Sequence, residues 1–189
     1  MAEPESKGSG FSSAVSVLRK MTAPEAFEQM VATLPPETAE LVRRPPLPVA
    51  WISSYHFQTL LTAVVRDLFG GDEKKLEDWG RQSLLADMRG IYKMFIRFLS
   101  PQFVIERGAK LWDTYTRNQG TARATAVGTA AADVFYTGLP ADLCSPAFWA
   151  YQRGAVKGVM EATGYKTVTV ETLDGGGSAG HATLRISWK

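Results

Sequence analysis

Residues 121–137 (TARATAVGTAAADVFYT) and 166–188 (KTVTVETLDGGGSAGHATLRISW) decide the fold, because small apolar and polar side chains alternate along both stretches. Gly128-Thr129 can turn the chain, so the first stretch predicts a β-hairpin. In the second stretch the Gly-rich residues 174–178 separate two strands. The last strand is expected to face inward with Ala182, Leu184, Ile186 and Trp188.

A helix is predicted between the two hairpins. Ser145-Pro146 is typical of a helix start, and Gly164 is typical of a helix end, so we expect a helix over 147–162. Gly154 and Gly158, four residues apart, predict close packing of this helix on a sheet. The C-terminal half therefore reads as ββαββ, with a four-stranded antiparallel sheet.

The N-terminal half has helical periodicity. Phe27, Met30, Val31 and Leu34 recur at helical spacing, and residues 57–68 form a second such stripe. The predicted fold class is thus α+β, with an N-terminal helical layer packed on the sheet. We expect residues 1–10 to be a disordered tail, 11–47 a helical extension with a Pro-rich connector, and 48–189 the α+β domain.

Composition limits the functions that fit this chain. The formal net charge is +2 and no basic cluster stands out, so a nucleic-acid partner is not expected. No apolar run approaches the roughly 20 residues of a membrane span. The single cysteine, Cys144, excludes an intramolecular disulfide. With a polar N-terminus, these features predict a cytoplasmic protein.

Aromatic residues are the candidate ligand contacts. They could wall an apolar ligand pocket between helices and sheet, or they could be ordinary core residues, and the second reading is favoured. The predicted pocket residues are Trp79, Tyr92, Phe95, Trp112, Tyr115, Phe148 and Trp149.

Two further residues are candidates for chemistry. Cys144 lies just before a predicted helix N-terminus, which lowers a thiol pKa, so it is a candidate reactive or acylated thiol. His56 lies in the first turn of a predicted helix and is a candidate haem or polar ligand. For both residues a structural role is the favoured reading. No nucleotide-binding or hydrolase motif is present, and neither a metal site nor a cofactor is expected.

Several segments carry a family resemblance. They are GIYK at 90–93, LSP at 99–101, LWDTY at 111–115, PAF at 146–148 and ISW at 186–188. With the hairpins, they resemble the myxobacterial paralogous family of single-domain proteins. That family in turn is similar to the group of 4-vinyl-reductase domains, haem-NO-binding domains and small TRAPP subunits. The resemblance covers residues 48–188.

The resemblance implies a helical layer on an antiparallel sheet in a small-molecule sensor or assembly subunit, commonly a homodimer. Haem-binding relatives use a proximal histidine with a Tyr-x-Ser-x-Arg motif, and neither is recognisable here. The 4-vinyl-reductase relatives need a cysteine cluster, and this chain has one cysteine. TRAPP relatives can acylate a buried cysteine, but Cys144 does not align to that position. No cofactor is therefore carried over.

The sequence thus predicts a non-catalytic binding or regulatory module that binds an apolar small molecule or a protein partner as a homodimer. Three alternatives stay open at this point: a scaffold subunit without a ligand, a haem sensor, and an enzyme that depends on Cys144 or His56.

Overall fold

The computed structural model describes residues 2–88 and 101–189. In chain order the strands are β1 (Glu5–Lys7), β2 (Trp51–Ser53), β3 (Thr116–Arg117), β4 (Thr121–Ala126), β5 (Ala131–Thr137), β6 (Val168–Gly175) and β7 (Ala182–Trp188). The helices are α1 (Gly8–Met21), α2 (Pro24–Ala32), α3 (Pro36–Arg43), α4 (Ser54–Val64), α5 (Glu73–Asp87), α6 (Pro101–Tyr115) and α7 (Pro146–Ala162). A π-helical turn, Val65–Phe69, continues α4, and a 3-10 turn, Ala141–Leu143, precedes α7.

The C-terminal half confirms the predicted α+β class and the ββαββ order. Strands β4, β5, β7 and β6 lie side by side in that order, and each neighbouring pair is antiparallel. Val134 on β5 pairs with Leu184 on β7, and both side chains are buried. Burial alternates along the whole of β7 with Ala182, Leu184, Ile186 and Trp188 inside. The period-of-two pattern therefore identified the inner face correctly.

A second, three-stranded sheet corrects the prediction of a disordered tail at residues 1–10. Strand β1 lies between β2 and β3, and Glu5 pairs with both Ser53 and Arg117. The Trp51 ring adds to the assembly, since the Lys7 amine lies 5.3 Å from its centroid and the Arg117 guanidinium carbon 3.8 Å. Backbone pairing with distant segments orders this polar stretch, so the composition of residues 1–10 did not indicate that they form a strand.

The N-terminal helices belong to the main core, so residues 11–47 are not a separate extension. Phe11, Leu18 and Phe27 share one buried cluster with Trp79 and Leu184. The Pro-rich connector is also tied down. The backbone N–H groups of Gly8 and Ser9 donate to Ala50 O (2.8 Å) and Pro48 O (3.2 Å).

Helix α5 packs against α7 at unusually short range through glycines. A Cβ added to Gly154 would lie 1.8 Å from the Glu77 carbonyl oxygen, and one added to Gly80 would lie 2.0 Å from the Tyr151 carbonyl oxygen. A Cβ added to Gly158 would likewise lie 2.8 Å from the Arg81 carbonyl oxygen on α5. Gly154 and Gly158 therefore serve helix–helix contact, which corrects the prediction that they pack on the sheet. Arg153 also donates to Glu77 at 2.7 Å across this contact.

No helix within residues 2–88 and 101–189 has the length and apolar character needed to cross a membrane.

Candidate ligand cavity

A cavity of about 250 Å³ lies between the helices and the inner face of the four-stranded sheet. Protein interiors contain few voids larger than a water molecule, which takes about 30 Å³ in the liquid. Small-molecule pockets run to roughly 300–1,000 Å³, so this space approaches the size of a ligand site. The cavity is therefore the candidate functional site.

Both halves of the chain build the wall of this cavity. Residues of the small sheet and of the starts of α1 and α4 line one side, and residues of α5, α6, α7 and the large sheet line others. Among the described residues, the apolar side chains of the wall are Phe11, Ile52, Phe57, Leu84, Met88, Val104, Leu111, Trp112, Val134, Leu143, Phe148, Ala155, Val156, Val159, Met160 and Ile186.

The predicted pocket residues divide into two layers. Trp112, Tyr115 and Phe148 line the cavity. Trp79 and Trp149 are fully buried, and neither lines the cavity. The prediction that these two are pocket residues is therefore corrected. Tyr92 and Phe95 lie outside the described residues.

The two tryptophans support the wall from behind. Trp79 contacts the lining rings of Phe57 and Tyr151, with centroids 5.9 and 4.8 Å away. Trp149 contacts Tyr136 and Phe148 at 5.7 and 5.0 Å. Their indole N–H groups donate to backbone oxygens, Ala14 O at 2.9 Å and Gly177 O at 3.0 Å. Each therefore holds a helix or loop in place while it fixes the lining rings.

A closed hydrogen-bond network occupies the end of the cavity under the small sheet. The Gln119 amide donates to Glu5 O (2.7 Å), Ser6 Oγ (3.0 Å) and Ser54 Oγ. Ser6 Oγ and Ser54 Oγ lie 2.7 Å apart and share a further hydrogen bond. Because these groups satisfy one another, they hold β1 against α4 and do not need a ligand.

The charged groups of the described wall are Asp87 and Lys7. The Asp87 carboxylate accepts hydrogen bonds from the Tyr115 hydroxyl at 2.5 Å and the Ser13 hydroxyl at 3.2 Å. Lys7 contacts the Trp51 ring. One negative and one positive charge leave this part of the wall close to neutral overall.

Two tyrosines of the wall are held in the neutral state. Burial raises the pKa of Tyr136 and of Tyr151 to about 12. The Tyr136 oxygen also accepts a hydrogen bond from the Gln152 amide at 3.1 Å. Both phenols therefore act as neutral hydrogen-bonding groups at physiological pH.

Two buried polar atoms of the wall have no hydrogen-bond partner among the described residues. They are the indole nitrogen of Trp112 on α6 and the side-chain oxygen of Gln58 on α4. A buried polar atom without a partner is rare in folded proteins and calls for an explanation. Neither atom is accessible to a water-sized group, so neither is open to the space of the cavity in this structure.

The two residues that were candidates for chemistry lie apart from the cavity. The Cys144 thiol is buried and donates to Pro140 O at 3.4 Å, and burial raises its pKa. A raised pKa lowers the thiolate fraction, which is the opposite of an activated cysteine. His56 Nδ1 lies 2.9 Å from the Thr38 hydroxyl, joining α4 to α3. Neither side chain lines the cavity.

Sequence reasoning missed the polar part of the wall. Gln58, Gln119, Tyr136 and Gln152 come from three helix or loop segments and one strand that are distant in sequence. No spacing rule connects such residues. The alternation of buried and exposed side chains along β5 was the only local indication of a buried position, and among these four residues it applies to Tyr136 alone.

The chain is similar to known proteins in its fold. No family model matches the chain, and no curated protein matches it either. Solved structures of H-NOX (haem-NO-binding) domains do match over 97% of the chain. At 15–16% identity the likeness shows the fold, which is α+β of the H-NOX kind.

Three of these structures illustrate the match. An oxygen-binding H-NOX domain related to soluble guanylate cyclases, in its oxygen complex, has a TM-score of 0.65 at 16% identity, with 95% of that chain covered. An H-NOX structure that was used to probe haem distortion has a TM-score of 0.66 at 16% identity and 95% coverage. A mutant of T. Tengcongensis H-NOX has a TM-score of 0.65 at 15% identity and 97% coverage.

These matches confirm the predicted resemblance to the haem-NO-binding group at the level of the fold. Because they cover 97% of the chain, they also include most of residues 1–47, which agrees with the single core and extends the resemblance beyond residues 48–188. The likeness to the myxobacterial family, to 4-vinyl-reductase domains and to TRAPP subunits stays a prediction.

The residues of this chain that could ligate haem iron are not placed to do so. Protein ligands to haem iron are histidine, cysteine, tyrosine, or methionine together with histidine. The chain has two histidines and one cysteine, His56, His181 and Cys144, and none of them lines the cavity. Met88 and Met160 line it, but the described wall offers no histidine to accompany them.

The tyrosines and the charges of the wall do not fit haem either. The Tyr136 oxygen already accepts a hydrogen bond from the Gln152 amide at 3.1 Å. The Tyr115 hydroxyl donates to Asp87. Within the described wall, Lys7 is the one cation that could pair with the haem carboxylates. The residues of the described wall therefore do not fit haem, and the likeness to H-NOX domains concerns the fold.

Proposed function

We propose that this chain is a non-catalytic ligand-binding module that holds an apolar small molecule in the cavity. The observation that carries the proposal is a cavity of about 250 Å³ walled mainly by aromatic and aliphatic side chains that adjoin the buried core. Apolar surface that stays in contact with water or void costs roughly 25 cal/mol per Å² relative to burial. A bound apolar molecule recovers that free energy.

The described wall supports binding better than catalysis. Covalent catalysis needs a nucleophile within hydrogen-bond reach of a base, and no cysteine or histidine lines the cavity. Asp87 is the acidic group of the described wall, and hydrogen bonds from Tyr115 and Ser13 already occupy both of its oxygens. Such a carboxylate is better suited to holding the wall together than to moving protons.

A neutral apolar fluorophore tests this proposal. N-phenyl-1-naphthylamine becomes fluorescent in an apolar site, so we expect a saturable increase with one probe per chain. Val134 lines the cavity from β5, and Val134→Phe should fill part of the space and weaken binding at least tenfold. Val127→Phe is the matched control, because Val127 is 38% exposed after β4 and does not line the cavity.

The opposite results would count against ligand binding. An absence of saturable fluorescence, or equal weakening by the two Phe variants, would favour the scaffold alternative. Haem titration tests the sensor alternative separately, and we expect no stoichiometric Soret band. The expected homodimer remains a prediction that light scattering of the purified chain can measure.

A further inference from the structure

A proline-rich turn carries the two most exposed large apolar side chains of the described residues. Leu47 is 72% exposed and Val49 is 75% exposed, whereas the others reach 50% at most. Both belong to a tight turn in which Ala50 N donates to Leu47 O at 2.9 Å and Pro48 takes the second position. The two side chains therefore project from a turn into solvent.

Contacts with α1 fix this turn before any partner binds. The N–H groups of Gly8 and Ser9 donate to its backbone, and Ser12 Oγ donates to Pro46 O at 3.2 Å. Gly8 has no side chain, which leaves room for the Leu47 carbonyl oxygen. The prolines restrict the backbone further. A turn that is already ordered loses little conformational entropy when a partner buries its side chains.

Basic side chains flank the turn on both sides along the chain. Arg43 and Arg44, at the end of α3, precede it, and both are exposed. Half-buried Trp51 on β2 follows it, and the cationic groups of Lys7 and Arg117 contact the Trp51 ring. The apolar side chains of the turn therefore lie between two pairs of cations in the sequence order of the strands and helices that carry them.

These cations outnumber the carboxylates that pair with them. Among the described residues, Glu40 lies 3.2 Å from the Arg44 guanidinium, and Glu5 lies 3.8 Å from that of Arg117. Four cations and two carboxylates leave a local charge of +2, which equals the formal net charge of the whole chain. The surface is therefore complementary to an anionic partner.

We propose that residues 43–51, with Lys7 and Arg117, form a docking surface for an anionic lipid bilayer. Leu47 and Val49 enter the acyl region, and the basic side chains lie at the level of the negatively charged headgroups. An amphipathic ring such as that of Trp51 is also suited to this level. A projecting turn fits a deformable lipid layer, whereas a protein partner would need an acidic cleft shaped to receive it.

Vesicle co-sedimentation of the intact chain tests this proposal. We expect binding to phosphatidylcholine vesicles that contain about 30% phosphatidylserine, in about 0.1 M NaCl. Binding should weaken at least tenfold in about 0.5 M NaCl, because salt screens the basic side chains. Vesicles of phosphatidylcholine alone should bind at least tenfold more weakly, because they have no net negative charge.

The apolar contribution is measured with serine variants. Leu47→Ser with Val49→Ser should weaken binding to the anionic vesicles at least tenfold, because two apolar side chains no longer enter the bilayer. Leu173→Ser is the matched control, since Leu173 is 50% exposed on β6, and its binding should stay within about twofold. A nitrobenzoxadiazole label on Val49→Cys should brighten on the anionic vesicles, and one on Leu173→Cys should not.

The basic contribution is measured with glutamine variants. Arg43→Gln with Arg44→Gln should weaken binding roughly tenfold, because each basic residue near an anionic surface contributes about fivefold and Glu40 already offsets part of the charge of Arg44. Arg123→Gln with Lys166→Gln is the matched control. It removes the same charge from two other exposed positions and should change binding less than threefold. Circular dichroism verifies that each variant is folded.

Several results would overturn the proposal. They are no binding to the phosphatidylserine vesicles, equal binding to the two lipid compositions, and equal weakening by the docking-surface variants and their controls. Binding to poly-L-glutamate that requires Leu47 and Val49, without binding to vesicles, would assign the surface to an acidic protein and overturn the lipid assignment.

Discussion

The substitution Gly154→Ala tests the glycine contact that sets the position of the cavity wall. Helix α7 carries Phe148, Tyr151, Ala155 and Met160 into the cavity, and its distance from α5 is limited by Gly154. A methyl group at residue 154 would lie 1.8 Å from the Glu77 carbonyl oxygen, far inside ordinary contact at 3.4–4 Å. Because the obstacle is backbone, no side-chain rotation relieves it, and the two helices must separate.

The magnitude follows from two opposing effects. Overpacking a close contact costs about 1–3 kcal/mol or more, and a rigid backbone partner favours the upper end of that range. Replacing a helical glycine by alanine returns about 1 kcal/mol of helix propensity. We expect a net loss of about 2 kcal/mol in the free energy of unfolding. For a chain of this size the midpoint of thermal unfolding should fall by roughly 4–8 °C.

Gly10→Ala provides the matched control. Gly10 also lies within a helix, α1, but the nearest atom to an added Cβ is Tyr115 Cδ1 at 3.9 Å. The same substitution should therefore stabilise the protein by about 0.5–1 kcal/mol. Urea unfolding followed by circular dichroism measures both variants. If Gly154→Ala is as stable as Gly10→Ala, the close packing of α5 on α7 is wrong.

Three further predictions concern ionisable groups. Burial raises the pKa of Tyr136 from 10 to about 12, so the unfolded chain loses this proton at a lower pH than the folded chain. The free energy of unfolding, measured in urea, should therefore fall as pH rises from 10 to 12. Tyr136→Phe should remove up to about 2–3 kcal/mol of that fall. If the variant lost stability with rising pH as steeply as the unmodified protein, this prediction would be contradicted. Arg185 lowers the pKa of Asp133 across β5 and β7, so Asp133→Asn should lower the free energy of unfolding by up to about 1 kcal/mol at neutral pH. The difference in stability between the two proteins should disappear as pH falls through 3.8 and below, and a difference that persists at lower pH would refute the prediction. Burial raises the pKa of Cys144, so iodoacetamide at pH ~7.5 should label the folded protein more slowly than free cysteine, whereas equal or faster labelling would restore the reactive-thiol reading.

Local patterns were enough to predict much of the fold. Alternation over 121–137 and 166–188 predicted β4 to β7 within about two residues, because one face of that sheet is buried and the other is not. Ser145 caps α7 as expected, accepting from Phe148 N at 3.1 Å. These features depend on neighbours in sequence, which is why they were readable.

Long-range pairing could not be read in the same way. Strand β1 is polar and only three residues long, and its partners lie about 50 and 110 residues away, so no periodicity marks it. The same applies to the site. Trp112 and Phe148 were predicted for their size, but size alone could not separate them from Trp79 and Trp149, whose indole groups are satisfied by backbone. That distinction arises only from the tertiary contacts.

Native mass spectrometry of the freshly purified chain tests the central claim of a ligand cavity most directly. We expect the native mass per chain to exceed the denatured mass by one neutral small molecule, which organic extraction releases and Val134→Phe reduces. A chain whose native and denatured masses agree, and that gains no mass when saturated with N-phenyl-1-naphthylamine, would contradict the account.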